Sequence, residues 1–220
     1  MEIINIVTAR SVWLFNISEM NPKGKDTPEL LNWIKNRYGF EKIPATVVDF
    51  DESGALLFSR GRFISKEGFT IKVDLKAYKD GILAETISST HDSDAFIEDL
   101  LISSVEQYGL IFKHDMVMAK LYLSEVNFRA ANKLLCVNQK LVEFGAKIGS
   151  LIPSNPNVSY AIGGLHFWPS PTSSKLEPLK FIVERMIKTS PNENRYFSSA
   201  PIQTDDHLGL LRELEDISMG

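Results

Sequence analysis

Few residues in this chain have a type and spacing that could do chemistry, and His166 leads them. Tyr160, Ile162, Gly164, His166 and Trp168 alternate along a segment that reads as a strand from Val158 to Trp168. They therefore share one face, and Gly163 and Gly164 leave room for a ligand or a second backbone. An imidazole there, oriented by Glu184 or Asp206 and accompanied by Arg185, Arg195 and His207, could work as a general base or hold a small ligand. The simpler reading of His166 is a histidine hydrogen-bonded at the end of a sheet. His207, beside Asp205 and Asp206, reads as part of a helix-capping turn.

A second set of residues suggests recognition. The stretch from Asn192 to Thr204 holds Arg195, Tyr196 and Phe197 and reads as part of a long irregular connection, Lys188 to Gln203. Such connections are often functional, and Arg and Tyr concentrate binding energy at interfaces. Packing between the sheet and the last helix would equally explain the two aromatic residues. Gly145 and Gly149 sit four apart in a predicted helix, where each costs about 1 kcal/mol relative to alanine. A close approach must offset that, either to a sheet or to another helix across a dimer.

The remaining candidates read as structural. Cys136 lies between Leu135 and Val137 with no adjacent base to hold a thiolate, so an inert buried thiol is expected. Glu98 with Asp99, Asp205 with Asp206, and Asp49 with Asp51 and Glu52 read as helix starts and turns. Arg60-Gly61-Arg62 could grip a phosphate, but no helix start follows it, and pairing with Asp49 or Asp74 is the expected use. No pair among His91, His114, His166 and His207 has the i, i+4 spacing of a helical zinc site, so no metal is expected. Dinucleotide, P-loop, zincin, C-x-x-C and nucleophile-elbow patterns are absent, and no cofactor is implied.

Composition narrows the classes further. The 220 residues are 44% apolar, with 28 acidic against 24 basic residues for a net charge of −4. A globular chain that recruits neither nucleic acid nor an anionic membrane is expected. One cysteine excludes an internal disulfide and points to a reducing, cytoplasmic setting. Residues 1–10 read as a first strand, and no window has the length and apolarity of a membrane span.

The elements that must position these residues are clearest at Phe69 to Ala77, where apolar and polar residues alternate without a slip before Tyr78-Lys79-Asp80-Gly81. This is a half-buried strand entering a hairpin, with Phe69, Ile71, Val73, Leu75 and Ala77 toward a core. Strands at Ala45 to Asp49, Ala55 to Phe63 and Ile82 to Ser88 complete a meander. Helices are predicted from Thr27 to Gly39, with stripe Leu30, Leu31, Ile34 and Tyr38, and from His91 to Gly109. A strand at Met116 to Val126 then leads to a helix near Asn138 to Ile152 that buries Leu141, Phe144, Ile148, Leu151 and Ile152. A strand at Leu179 to Ile187 and a helix from Thr204 burying Leu210, Leu211, Leu214 and Ile217 close the chain.

The expected fold is α+β, a mainly antiparallel sheet with helices packed on one face. Residues 1–110 and 111–220 share a β-α-β(n)-α order, which either a duplication or two similar layers on one sheet would produce. The expected function is a non-enzymatic interaction or assembly subunit that self-associates or joins a protein partner. The alternative is an enzyme or small-ligand binder with a pocket near His166 and Arg195.

Overall fold

The computed structural model describes residues 1–23, 27–44, 54–135, 138–151, 160–170, 179–186, 189 and 193–218. The strand expected at Ala45 to Asp49, and residues Asp51, Glu52, Cys136 and Ile152, lie outside them. Strands β1 (Glu2–Leu14), β2 (Leu56–Ile64), β3 (Thr70–Tyr78), β4 (Gly81–Thr86), β5 (Ala119–Arg129), β6 (Gly164–Phe167), β7 (Phe181–Arg185) and β8 (Arg195–Ala200) form an antiparallel sheet. Their order is β2-β3-β4-β1-β5-β8-β7-β6. With helices α1 (Ile17–Met20), α2 (Thr27–Tyr38), α3 (Thr90–Tyr108), α4 (Gln139–Ser150) and α5 (Thr204–Ile217), the class is the expected α+β. The chain divides into two compact units, Thr8–Ser124 with Ile202–Thr204, and Met1–Val7 with Glu125–Pro201 and Asp205–Gly220.

In the first unit the alternating pattern of β3 decides the layers. Ile71, Val73 and Leu75 are buried with Trp13, Phe58, Phe96 and Leu101, while Lys72 and Asp74 face water. Burying each such large apolar side chain contributes about 2 kcal/mol, which fixes the register of β3 against β2 and β4. Phe69 is 66% exposed, because it precedes the ladder and escapes the core that its position in the alternation predicts. The hairpin closes over Lys79 and Asp80, with Tyr78 opposite Gly81. Gly81 has no positive φ; a Cβ there would strike the Trp13 carbonyl oxygen, so close approach of β1 is what requires glycine.

Helix α3 starts at Thr90, one residue before the expected His91. Ser89 is the cap, accepting at Oγ from the Asp92 amide at 3.1 Å, and Gly109 ends the helix with φ 58°. In α2, Leu31, Ile34 and Tyr38 are buried as the stripe predicts, and Gly39 stops the helix with φ 60°.

The second unit has its own core of Val126, Phe128, Leu134, Val183, Tyr196 and Leu211. Three expectations are corrected here. Arg195–Ala200 belongs to no irregular connection; it is β8, paired with β7 through Val183 opposite Ser198 and Arg185 opposite Tyr196. In α5, His207, Leu211 and Glu215 are buried, whereas Leu210 and Ile217 are 43% and 70% exposed. In α4 the apolar stripe points outward. Leu141, Phe144 and Leu151 are exposed, and the buried positions are Gly145 and Gly149.

Candidate functional site

Pairing of β6, β7 and β8 decides where the second unit's polar side chains go. Gly164 lies opposite Glu184, and His166 opposite Ile182, so His166 and Glu184 share a face and meet at 2.8 Å through Nε2 and Oε1. His166 is exposed and Glu184 half-exposed. His207 projects from α5 onto the other face, where Val183 and Ser198 lie, and bonds Ser198 Oγ at 2.8 Å beside the Phe181 ring. Burial pushes its pKa down to about 4. His166 and His207 are thus separated by the sheet of their own unit and do not converge.

The arginines are held locally. Arg185 donates its backbone N–H to the Gly163 carbonyl at 2.9 Å, and Arg195 lies 3.1 Å from the Glu193 carboxylate. Tyr196 is buried, stacked on Phe128, with its hydroxyl accepting from the Leu134 amide at 3.1 Å. Phe197 is half-buried opposite Glu184.

Helix α4 presents a different arrangement. A Cβ on Gly145 would strike the Tyr160 carbonyl oxygen, so the helix is seated by its glycine face. Asn138 caps it, accepting from the Lys140 amide at 3.0 Å. Leu141, Phe144 and Leu151, 51%, 59% and 70% exposed, form the outward stripe with half-buried Ile148. The same unit exposes Phe167 and Trp168 at the end of β6, which is the last strand of the sheet. Edge strands and contiguous apolar faces are the features that soluble proteins keep covered.

In the first unit, Ser59 and Arg60 form a bulge in β2 opposite Asp74 of β3, between the pairs Phe58–Leu75 and Gly61–Val73. Arg60 adopts φ 59° and gives its backbone N–H to Asp74 Oδ1 at 2.6 Å, while its guanidinium pairs with Glu41, so the expected pairing with Asp74 runs through the main chain. Gly61 leaves room for the Phe40 ring. On α2, Tyr38 donates to Asp99 Oδ2 at 2.6 Å, and Arg37 bonds the same carboxylate at 3.0 Å. Burial, then the Asp99 hydrogen bond, raises the Tyr38 phenol far above its usual range.

The same unit contains an apolar cavity of about 350 Å³ between β2-β3-β4 and helices α1, α2 and α3. Phe58, Leu75, Leu101 and Met20 form its inner wall. Water is a poor filler, because an apolar wall offers it few hydrogen-bond partners. No local pattern announces this space: the lining residues are ordinary core types, and a cleft arises from how they fail to meet.

No protein family and no curated protein matches this chain.

Proposed function

We propose that this protein is a non-enzymatic interaction subunit that self-associates through the outward face of α4. The observation that carries the reading is the inverted helix, seated on glycine while Leu141, Phe144 and Leu151 face solvent. The stripe Leu141, Phe144, Ile148, Leu151 has spacing 3-4-3 and reads the same from both ends. Two copies crossing antiparallel about a two-fold axis would set Leu141 against Leu151 of the second copy and Phe144 against Ile148, as an isologous interface requires.

Light scattering during gel filtration tests it, comparing the natural chain with Phe144→Asp and Leu151→Asp. The expected result is a dimer that both substitutions convert to a cooperatively folded monomer, whose melting temperature loses only the concentration-dependent part supplied by association, since neither side chain belongs to a core. A natural chain that is monomeric at high micromolar concentration would overturn self-association.

The His166–Glu184 contact favours the second reading, a small-ligand or acid–base site on the open face of β6 and β7. Its support is weaker, because neither Arg195 nor His207 joins that pair. His166→Ala should leave every ligand response of the protein unchanged under the first reading, and abolish one under the second.

A further inference from the structure

We infer that the open edge of β2 is a docking strand for an extended acidic segment of a partner protein, which would add to the sheet beside Arg62, Phe63 and Ile64. This surface lies in the first unit and does not rest on the α4 face.

Hydrogen bonding separates the used part of this edge from the free part. β2 is the outermost strand of the sheet, and its Ser59 already pairs outward: Ser59 N–H donates to the Lys42 carbonyl at 3.0 Å, and Lys42 N–H donates back at 3.3 Å. That pairing stops because the chain before it turns away into α2, with the Phe40 amide bonded to the Lys35 carbonyl at 3.1 Å. On the far side of the bulge, Ser65 N–H donates to the Phe69 carbonyl at 2.8 Å. Ser65, Phe63 and Gly61 therefore bond toward β3, and the amides and carbonyls of Arg62 and Ile64 point away from it. No strand among the described residues takes up those groups. An open groove of about 780 Å³ is lined by Arg62, Phe63 and Ile64 and by the end of α2 at Asn36 and Gly39. Ile64 is 68% exposed there.

The charge at the edge selects the occupant. Arg62 lies directly opposite Lys72, a like-charge pair that weakens a ladder, and neither makes an ion pair among the described residues. The acids that line the surface around them are engaged. Glu41 pairs with the Arg60 guanidinium, Asp74 accepts the Arg60 amide, and Glu85 pairs with Arg10. A carboxylate on an added strand would relieve the repulsion with a charge-assisted bond. A second copy pairing edge to edge would instead bring another Arg62 to the same place, the device by which sheets keep their own edges apart.

The test is titration calorimetry of the full chain with three capped peptides, alternating valine with glutamate, valine with lysine, and proline with glutamate. Saturable one-to-one binding is expected for the valine–glutamate peptide alone, because proline removes half of the amides that a strand needs. Ile64→Pro deletes an outward amide that β3 does not use, as edge strands tolerate, and should abolish binding. Arg62→Glu should weaken the valine–glutamate peptide about tenfold and strengthen the valine–lysine one. Where Ile64→Pro fails to fold, hydrogen exchange of the natural chain decides: the peptide should slow the Arg62 and Ile64 amides and leave those of α4 unchanged. Absence of saturable binding, equal binding of the proline–glutamate peptide, or unchanged exchange at Arg62 and Ile64 would overturn the docking strand. Equal affinity for the glutamate and lysine peptides would overturn the acidic partner. Self-association that Ile64→Pro abolishes and Phe144→Asp leaves intact would overturn it in favour of a second copy.

Discussion

Ser198 Oγ and His207 Nε2 lie 2.8 Å apart with both side chains fully buried, and the direction of the bond between them can be assigned. The serine hydroxyl also lies 2.6 Å from the Ile182 carbonyl, which can only accept. The one serine proton therefore goes to Ile182, and the imidazole donates from Nε2. His207 is neutral, with a folded pKa of about 4 against an ordinary 6.5. Between those values the unfolded chain binds a proton that the folded chain refuses. Stability is full above pH 6.5, falls as the pH drops from 6.5 to 4, and loses about 3 kcal/mol from this group across the window. Urea denaturation at pH 7 and pH 4.5 checks it. His207→Phe should remove most of the difference, and an equal loss in the variant would place the acid sensitivity elsewhere.

His207 also shows how the sequence is informative and where it stops. The alternation in Phe69 to Ala77 fixes β3 because one face must be buried, and Gly39 and Gly109 mark helix ends because left-handed backbone favours glycine. In β8, buried Tyr196, Ser198 and Ala200 share one face, but two of the three are small and one is polar, so no apolar alternation announces a strand. The serine is buried because His207 and Ile182 satisfy it, and that partnership joins residues that local pattern cannot connect. In α4 the pattern identified the helix and inverted its burial. An amphipathic stripe marks the face that avoids water, without saying whether the covering surface belongs to the same chain. The glycines carried the better signal, since their cost in a helix implied a close approach on their side.

That approach makes Gly145 and Gly209 an opposed pair. Both lie in helices, where replacing glycine by alanine gains about 1 kcal/mol from backbone entropy. At Gly209 a Cβ meets nothing within 4 Å, so Gly209→Ala should stabilise by about that amount. At Gly145 it would meet the Tyr160 carbonyl, a backbone atom that cannot rotate away, and the clash costs about 1–3 kcal/mol. Gly145→Ala should therefore destabilise or release α4. Thermal melts of the two variants, with hydrogen exchange across residues 139–150, test the signs, and stabilisation by both would contradict the packing of α4.

The Tyr38–Asp99 bond makes a separate prediction about the first core. Tyr38 is 4% exposed, its ring packs edge-on against Phe96 at 4.9 Å, and only its hydroxyl reaches the carboxylate. Tyr38→Phe keeps the ring and deletes the hydrogen bond to a charged acceptor, at a cost of about 1.5–3 kcal/mol. Because Arg37 still holds Asp99, the lower end is expected. The raised phenol has a spectroscopic consequence too: Tyr38 should stay protonated in the folded protein on titration to pH 11, and Tyr38→Phe should leave the tyrosinate absorbance change unaltered. A smaller change in the variant would mean that Tyr38 ionises normally.

At the bulge in β2, two arginines separated by one residue should respond to glycine with opposite signs. Arg60 has φ 59°, in a region that costs an L-residue roughly 1–2 kcal/mol, and its side-chain contact is an exposed pair with Glu41 that offers little in return. The bond that matters there, from its backbone N–H to Asp74, survives any side chain. Arg60→Gly relieves the strain and gives back part of the gain as backbone entropy, leaving a net stabilisation of about 0.5–1 kcal/mol. Arg62 has no positive φ and sits in the ladder opposite Lys72, so Arg62→Gly should destabilise by a similar amount. Denaturant midpoints of the two variants decide it: the same sign for both would mean that the backbone at Arg60 is not strained.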